Sequence, residues 1–198
     1  MGEVNAGGVL DRREVVKRLL DGRKDLLVVT GLGSPSYDVM AAGDHDGNYY
    51  LWAAMGSAAM VGLGLAKAQP AKSVLVVTGD GEMLMGLGAL ATIAVQATPN
   101  LTVAVLDNGH FGETGMQLSH AGRGLSLDRV AGSCGFPWTA EIREMAQVDD
   151  LRARIDSRDG PKLATIKIRA ENAPRVLPPR DGVHVKNRFR MALGHAPI

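Results

Sequence analysis

At 198 residues, with 45% hydrophobic content and a formal net charge of +1, the chain has the size of one domain and ample apolar material for its core. Near-neutrality removes any global electrostatic case for nucleic acid or a membrane surface as partner, and no run approaches the ~20 apolar residues of a membrane span. The single cysteine, Cys134, cannot form an internal disulfide and is read as a small buried hydrophobe. With no export signal in MGEVNAGGVL and no myristoylation pattern after Met1-Gly2, a cytoplasmic location is expected.

Residues 1–9 read as a flexible leader. From Asp11, DRREVVKRLLDG places Val15, Val16, Leu19 and Leu20 on one face and charges, Glu14 among them, on the other, which predicts an amphipathic helix capped by Asp11. DLLVVTG, 25–31, is a buried strand. GLGSPSYD follows as a loop at its carboxyl end, with Ser34 and Ser36 either part of an ordinary Gly-Pro turn or facing a ligand. AAGDHDGNYY is a polar connection, in which His45 is either solvated or a titratable group at the rim of a site. LWAAMGSAAMVGLGLAKAQP then repeats small residues at three- and four-residue intervals, predicting a helix with a thin face that packs closely on its neighbours.

The next two strands carry the most information. Val74 to Thr78 is an unbroken apolar run suited to a strand buried on both faces of a parallel sheet. It stops at Gly79-Asp80-Gly81, where flanking glycines allow a sharp turn and leave a carboxylate at the strand's carboxyl end, followed by a helix over about Met83 to Ala97. A second strand, Leu101 to Leu106, ends in Asp107-Asn108-Gly109. The 28 positions from Asp80 to Asn108 hold one βαβ unit, so both oxygen-bearing side chains arrive at the same edge of the sheet beside a helix N-terminus. That set suits a hard cation bridging to phosphate. Glu82 adds an acid that either caps the helix dipole or bonds an amide.

FGETGMQLSHAGRGLSL is longer and more glycine-rich than a structural connection needs to be, and reads as a lid carrying Gln117, His120 and Arg123 toward an anionic substrate. LSLDRVAGSCGF is then a helix, PWTAEI a short strand, MAQVDDLRARIDSRDG a helix from about Val148, and LATIKIRA the last strand. Strand and helix alternate throughout, predicting an α/β domain over 10–170, a single three-layer parallel sheet with helices on both faces. Residues 171–198 form a basic, Pro-containing tail, solvated or docked on a partner.

GDGEMLMGLGALAT…LDNGHFGETGMQ resembles the diphosphate-binding half of thiamine diphosphate enzymes, whose signature is GDG followed one βαβ unit later by Asn, and is most similar to the β subunits of sulfopyruvate decarboxylase and the corresponding half of phosphonopyruvate decarboxylase. The similarity runs from about Val15 to Ala170. The resemblance implies a thiamine diphosphate-binding fold with the cofactor diphosphate held through Mg²⁺. The implied metal ligands are Asp80, Asn108 and the His110 carbonyl, with Gly79, Gly81, Glu82, Phe111 and Gly112 around the diphosphate. It also implies that Met55, 25 positions before Asp80, supports the bent cofactor while its amide and the Ala53 carbonyl face the aminopyrimidine. Ser34, Gln117 and His120 are the implied substrate-side residues. Where the relatives carry T-G-x-Q-x-T, this chain has Ser119-His120 after Gln117-Leu118, which leaves the inherited substrate preference open.

In the resembled family a glutamate on a separate pyrimidine-binding domain activates the cofactor, and nothing here is similar to that domain. The expectation is therefore a β-type subunit of a heteromeric 2-oxoacid decarboxylase that is inactive without an α-type, pyrimidine-domain partner. A carboligase subunit resembling acetolactate synthase is the competing enzyme, and a non-catalytic cofactor-binding module the competitor of another class.

Overall fold

The computed structural model describes residues 8–198. The expected leader lies outside the described residues over 1–7, whereas Gly8 donates its amide to the Ile168 carbonyl and Leu10 bridges to Ile168, so the chain is already tied to the sheet there. Six parallel strands follow in the order β2-β1-β3-β4-β8-β7. They are β1 (Leu27–Thr30), β2 (Asn48–Tyr50), β3 (Val74–Gly79), β4 (Leu101–Asp107), β7 (Trp138–Ile142) and β8 (Lys162–Lys167), with a two-stranded hairpin of β5 (His110–Phe111) and β6 (Gln117–Leu118) standing apart.

Helices α1 (Arg12–Leu20), α2 (Ser34–Ala41) and α7 (Met145–Ile155) cover one face, where Val15, Leu19, Val39 and Leu151 meet Leu75 and Ala104 of the sheet. Helices α3 (Ala58–Ala68), α5 (Ala89–Gln96) and α6 (Leu127–Cys134) cover the other, packing Leu63, Ile93 and Leu127 with Val76 and Val103. The three-layer α/β architecture is thus the one the sequence predicts. Burial on both faces is why β3 and β4 are apolar without alternation. Among the described residues no helix is long and apolar enough to cross a membrane.

The differences from the sequence reading have local causes. The GLGSPSYD segment is a loop only as far as Gly33, and α2 begins at Ser34 with Pro35 in its first turn, where a missing amide proton is harmless. The polar connection after it contains the edge strand β2. The single helix expected over Met83 to Ala97 is two: α4 (Asp80–Met85) starts on Asp80 itself, and the chain kinks at Gly86-Leu87-Gly88 before α5. α7 starts at Met145 rather than near Val148, because Glu144 and Gln147 exchange side-chain-to-amide bonds as a capping box. The expected lid is built structure, with β5 paired to β6 and Ser119 fully buried. Within the supposed tail, α8 (Gly182–Ala192) packs on this domain: Phe189 meets Tyr49 of β2 edge-to-face at 5.4 Å, and Arg188 pairs with Asp44 at 2.6 Å. α8 thereby covers the flank of an edge strand that would otherwise lie open.

The strand register places the site. Gly79 lies opposite Leu106, so the next residues, Asp80 and Asp107, emerge side by side at the carboxyl ends of β3 and β4, while Asp107 lies opposite Lys167 of β8. The chain moves outward to β2 on one side of β1 and to β3 and β4 on the other, and ligands of such sheets collect at the carboxyl ends where that direction changes.

Candidate functional site

A cleft of about 90 Å³ opens at these strand ends. Of the residues singled out in the sequence, Ser34, Met55, Gly79, Asp80, Gly81, Glu82, Asn108, His110, Phe111 and Gly112 all line it. Ala53 sits just outside, exposed, in the turn that carries Met55. Gln117 and His120 do not line the cleft: Gln117 is exposed and folds back on Thr114, and His120 stands on the surface with its ring edge-on to Phe111 at 6.3 Å. Their placement on the substrate side is not what the structure brings together. His45 is likewise away from the cleft, exposed, with Nδ1 accepting the Gly47 amide ahead of β2.

Asp80 is the centre of the site. Its carboxylate is 2% exposed, and Oδ2 accepts from the buried Ser119 hydroxyl at 2.5 Å. Burial, and then the neighbouring Asp107 charge, push its carboxyl up to about 6. The two aspartates differ in their partners. Asp107 is neutralised by Lys167 at 2.5 Å and caps the Gly109 amide at 2.8 Å, whereas Asp80 has no cation beside it among the described residues. A divalent ion would relieve that buried charge.

The next loop supplies the other oxygens. Asn108 Oδ1 accepts the His110 amide at 2.9 Å, and the His110 imidazole Nδ1 turns back to the Asn108 carbonyl at 2.7 Å, which fixes the loop. A carboxylate, an amide oxygen and a backbone carbonyl are the hard oxygen donors that Mg²⁺ prefers. The cradle is also open where it must be: a β-carbon on Gly79 would meet nothing nearer than 4.0 Å. The residues present therefore fit a metal-bound diphosphate.

Glu82 resolves the choice left by the sequence in favour of amides. Buried at 4% exposure, it accepts from Thr78 Oγ1 at 2.8 Å through one oxygen and from the Gly56 amide at 3.3 Å through the other. Burial pushes its carboxyl up, against the pull of these donors. One carboxylate thus ties the end of β3 to the turn holding Met55 and packs against the loop after β1. Gly31 makes room for it, since a β-carbon there would fall 1.6 Å from Glu82 Oε2.

Met55 is not at a helix start but in a tight turn ahead of α3, between Ala54 at φ 58° and Gly56 at φ 95°. The turn leans on the kink after α4, where a β-carbon on Gly86 would fall 2.0 Å from the Gly56 carbonyl. Met55 keeps 39% of its surface exposed, which is more than core filler would. Among the cleft residues that escaped the sequence reading, Asn172 and Arg12 come from the two ends of the chain. Asn172 enters from the segment after β8. Arg12 was assigned to the outer face of α1 with the other charges, yet it is 5% exposed and lines the cleft; the one available signal was its position beside the helix cap, at the end of α1 that faces the strand ends.

Comparison with known proteins adds the following. The sequence family described as thiamine pyrophosphate enzyme, C-terminal TPP binding domain, matches residues 37–165. The sulfopyruvate decarboxylase subunit beta of Methanothermobacter thermautotrophicus is 34% identical over 182 residues, 91% of this chain and 94% of that one. The phosphonopyruvate decarboxylase of Streptomyces viridochromogenes is 38% identical over 174 residues, 84% of this chain, but this chain spans only 42% of that protein's length. Among solved structures, the benzoylformate decarboxylase of Polynucleobacter necessarius superposes with a TM-score of 0.71 at 18% identity, over 88% of this chain and 36% of that one, a likeness of fold.

Proposed function

Because the chain belongs to the thiamine pyrophosphate enzyme family, as its C-terminal TPP-binding domain, we propose that it is the β-type, diphosphate-binding subunit of a heteromeric 2-oxoacid decarboxylase similar to those acting on sulfopyruvate and phosphonopyruvate. The observation that carries the reading is the convergence of Asp80, Asn108 and the His110 loop, delivered by adjacent strand ends, in one cleft with Met55. Asp80 and Asn108, with the His110 carbonyl, would hold Mg²⁺ on the diphosphate. When bound, the cofactor supplies a thiazolium carbon that adds to a 2-oxoacid carbonyl and accepts the electron pair left by carbon dioxide.

The chain's own residues do the holding. Gly81 and the first turn of α4 present amides to the diphosphate, Ser119 fixes the orientation of Asp80, and Glu82 fixes the turn on which Met55 stands. Met55 provides the apolar wall for the thiazolium. Neither the Ala53 carbonyl nor the Met55 amide has a hydrogen-bond partner among the described residues, which suits their facing the aminopyrimidine.

The acid that acts on the pyrimidine is supplied by another subunit. Of the glutamates lining the cleft, Glu82 is committed to amides and Glu113 bonds Ser34 Oγ at 3.2 Å and faces Arg175 at 3.7 Å. A general acid must reach its target nitrogen, and both are tied elsewhere. The partner is an α-type, pyrimidine-domain subunit, and the complex works in the cytoplasm on a small 2-oxoacid.

Co-expression with a pyrimidine-domain subunit tests the whole. The chain alone, supplied with Mg²⁺ and thiamine diphosphate, is expected to release no carbon dioxide from a panel of 2-oxoacids, and the pair is expected to do so. Robust turnover by the isolated chain would refute the two-subunit reading, and condensation products in place of the aldehyde would make the pair a carboligase.

A further inference from the structure

The two sides of the cleft are closed differently. On one stands the turn of Met55, ahead of α3. On the other, three segments far apart in the chain meet: the start of α2, the turn Gly112–Thr114 that follows β5, and the stretch after β8. Glu113 is the residue they share. Its Oε1 accepts from the Ser34 hydroxyl at 3.2 Å, 79 positions away, and its Oε2 faces Arg175 at 3.7 Å. The carboxylate lies over Gly33, where a β-carbon would fall 2.6 Å from Oε1. Arg175 in turn stands 5.9 Å from the centre of the Tyr37 ring, and Arg13 donates to the Pro174 carbonyl beside it, so the stretch after β8 is held to α2 and α1.

The turn is firm at its base and loosely held at its tip. At the base, β5 pairs with β6, the Met116 amide returns to the Phe111 carbonyl at 3.0 Å, and Phe111 packs on Gly81, where a β-carbon would fall 2.8 Å from its ring. At the tip, Glu113 and Thr114 line the cleft between Gly112 and Gly115, the latter at φ 116°. The contacts that carry the tip across to α2 are exposed ones: the Glu113 and Arg175 side chains keep 39% and 70% of their surface open, and pairs of that kind contribute little. Lifting the tip breaks them and leaves the base and the loop of Asn108 and His110 in place.

We infer that Glu113, bridged to Ser34 and Arg175, is the latch of a gate through which the cofactor enters and leaves the cleft. This rests on the reading of the cleft as a thiamine diphosphate site whose Met55 side is covered by the partner subunit. With that side covered, the way left for the ligand runs under Glu113, where the wall is made of a hairpin tip and a stretch without regular structure rather than of packed helix. A latch that closes again after each passage slows entry and exit alike and leaves affinity where it was, whereas a residue that holds the ligand is felt in affinity when it is removed.

Exchange of radiolabelled thiamine diphosphate tests this on the assembled enzyme with Mg²⁺, uptake of the label giving the entry rate and its release into excess unlabelled cofactor the exit rate. Glu113→Ala is expected to speed both by about fivefold, the worth of a hydrogen bond and a weak ion pair, and to change their ratio by less than about twofold. Arg175→Gln, which leaves the bond to Ser34, should speed both by about twofold; it gives the same comparison should Glu113→Ala fail to fold. Added salt should hasten exchange in the parent and not in Glu113→Ala, because the screened pair is already gone. Arg143→Gln breaks a comparably exposed pair with Glu141 far from the cleft and is expected to leave both rates within about 1.5-fold. Unchanged rates in Glu113→Ala, or faster exit without faster entry, would overturn the gate, the second result making Glu113 a holding contact. Failure of the parent complex to take up thiamine diphosphate at all would instead overturn the reading of the cleft, and this inference with it.

Discussion

Ser119 stands where the pattern of the resembled family ends in threonine, and it keeps a hydroxyl there. Its hydroxyl is fully buried and holds the Asp80 carboxylate, so Ser119→Ala leaves a buried oxygen without its donor and frees Asp80 to rotate. We expect Mg²⁺-dependent cofactor affinity to fall by about tenfold, near 1.4 kcal/mol, with the melting temperature little changed; calorimetry beside a thermal melt reads both. Glu82→Gln puts an amide NH₂ where Thr78 and Gly56 present donors, and should destabilise the fold by ~1–3 kcal/mol in urea titrations. If stability is unchanged, Glu82 is not the tie described above. At this scale the sequence was legible where a motif fixes position: Asp80, Asn108 and Gly81 follow from GDG and the length of one βαβ unit. It was illegible where a side chain's role depends on what a distant segment brings, as with Arg12 and Asp38, separated by 26 positions, or Ser119 and Asp80, separated by 39.

Among the elements, buried strands announced themselves through continuous apolar runs, and their ends came within three residues of the observed ones. Short elements did not. β2 has three residues in a polar stretch, and its existence depends on pairing with β1 and on Tyr50 packing into the core rather than on any local periodicity. α8 was hidden by a proline-rich approach and a basic composition, although Asp181 capping Val183 and His184 was a visible start signal. Its anchor is Phe189, 6% exposed against Tyr49. Phe189→Ala is expected to cost ~3 kcal/mol, the range for emptying an aromatic core site, measured as a shift in urea midpoint at constant slope. Thiamine diphosphate affinity should stay unchanged, because α8 lies on the β2 flank and contributes nothing to the cleft. A parallel loss of affinity would show that the C-terminal segment also braces the site.

For the molecule as a whole, part of the exposed apolar surface lies on the elements that flank the cleft. Met55, Met60, Met85 and Val95 are 39%, 40%, 64% and 82% exposed, and they sit on or next to α3, α4 and α5. Apolar side chains grouped around an incomplete site are what a partner subunit would cover. Met55→Ala separates the two demands on that residue. We expect turnover of the assembled enzyme to fall at least about tenfold while thermal stability stays near that of the parent, since the wall shapes the reacting geometry and is half outside the core. A variant that only melts earlier, with normal turnover per folded molecule, would make Met55 a packing residue.

The pairing of Asp107 with Lys167 joins positions 60 apart in the chain, and it sits directly beside Asp80. The residues proposed to hold the metal and the diphosphate lie between Gly79 and Gly112, yet Asp107, within that stretch, finds its counter-charge in β8. Closing so long a loop is slow relative to forming the local βαβ unit, so β8 is expected to dock late in folding. Until it does, two neighbouring carboxylates share one buried strand edge, and a cation captured there would have the wrong number of negative charges around it. Competence to hold the cofactor thus reports completion of the sheet: a fragment ending before Lys162 carries Gly79 to Gly112 but lacks the ammonium that pairs with Asp107.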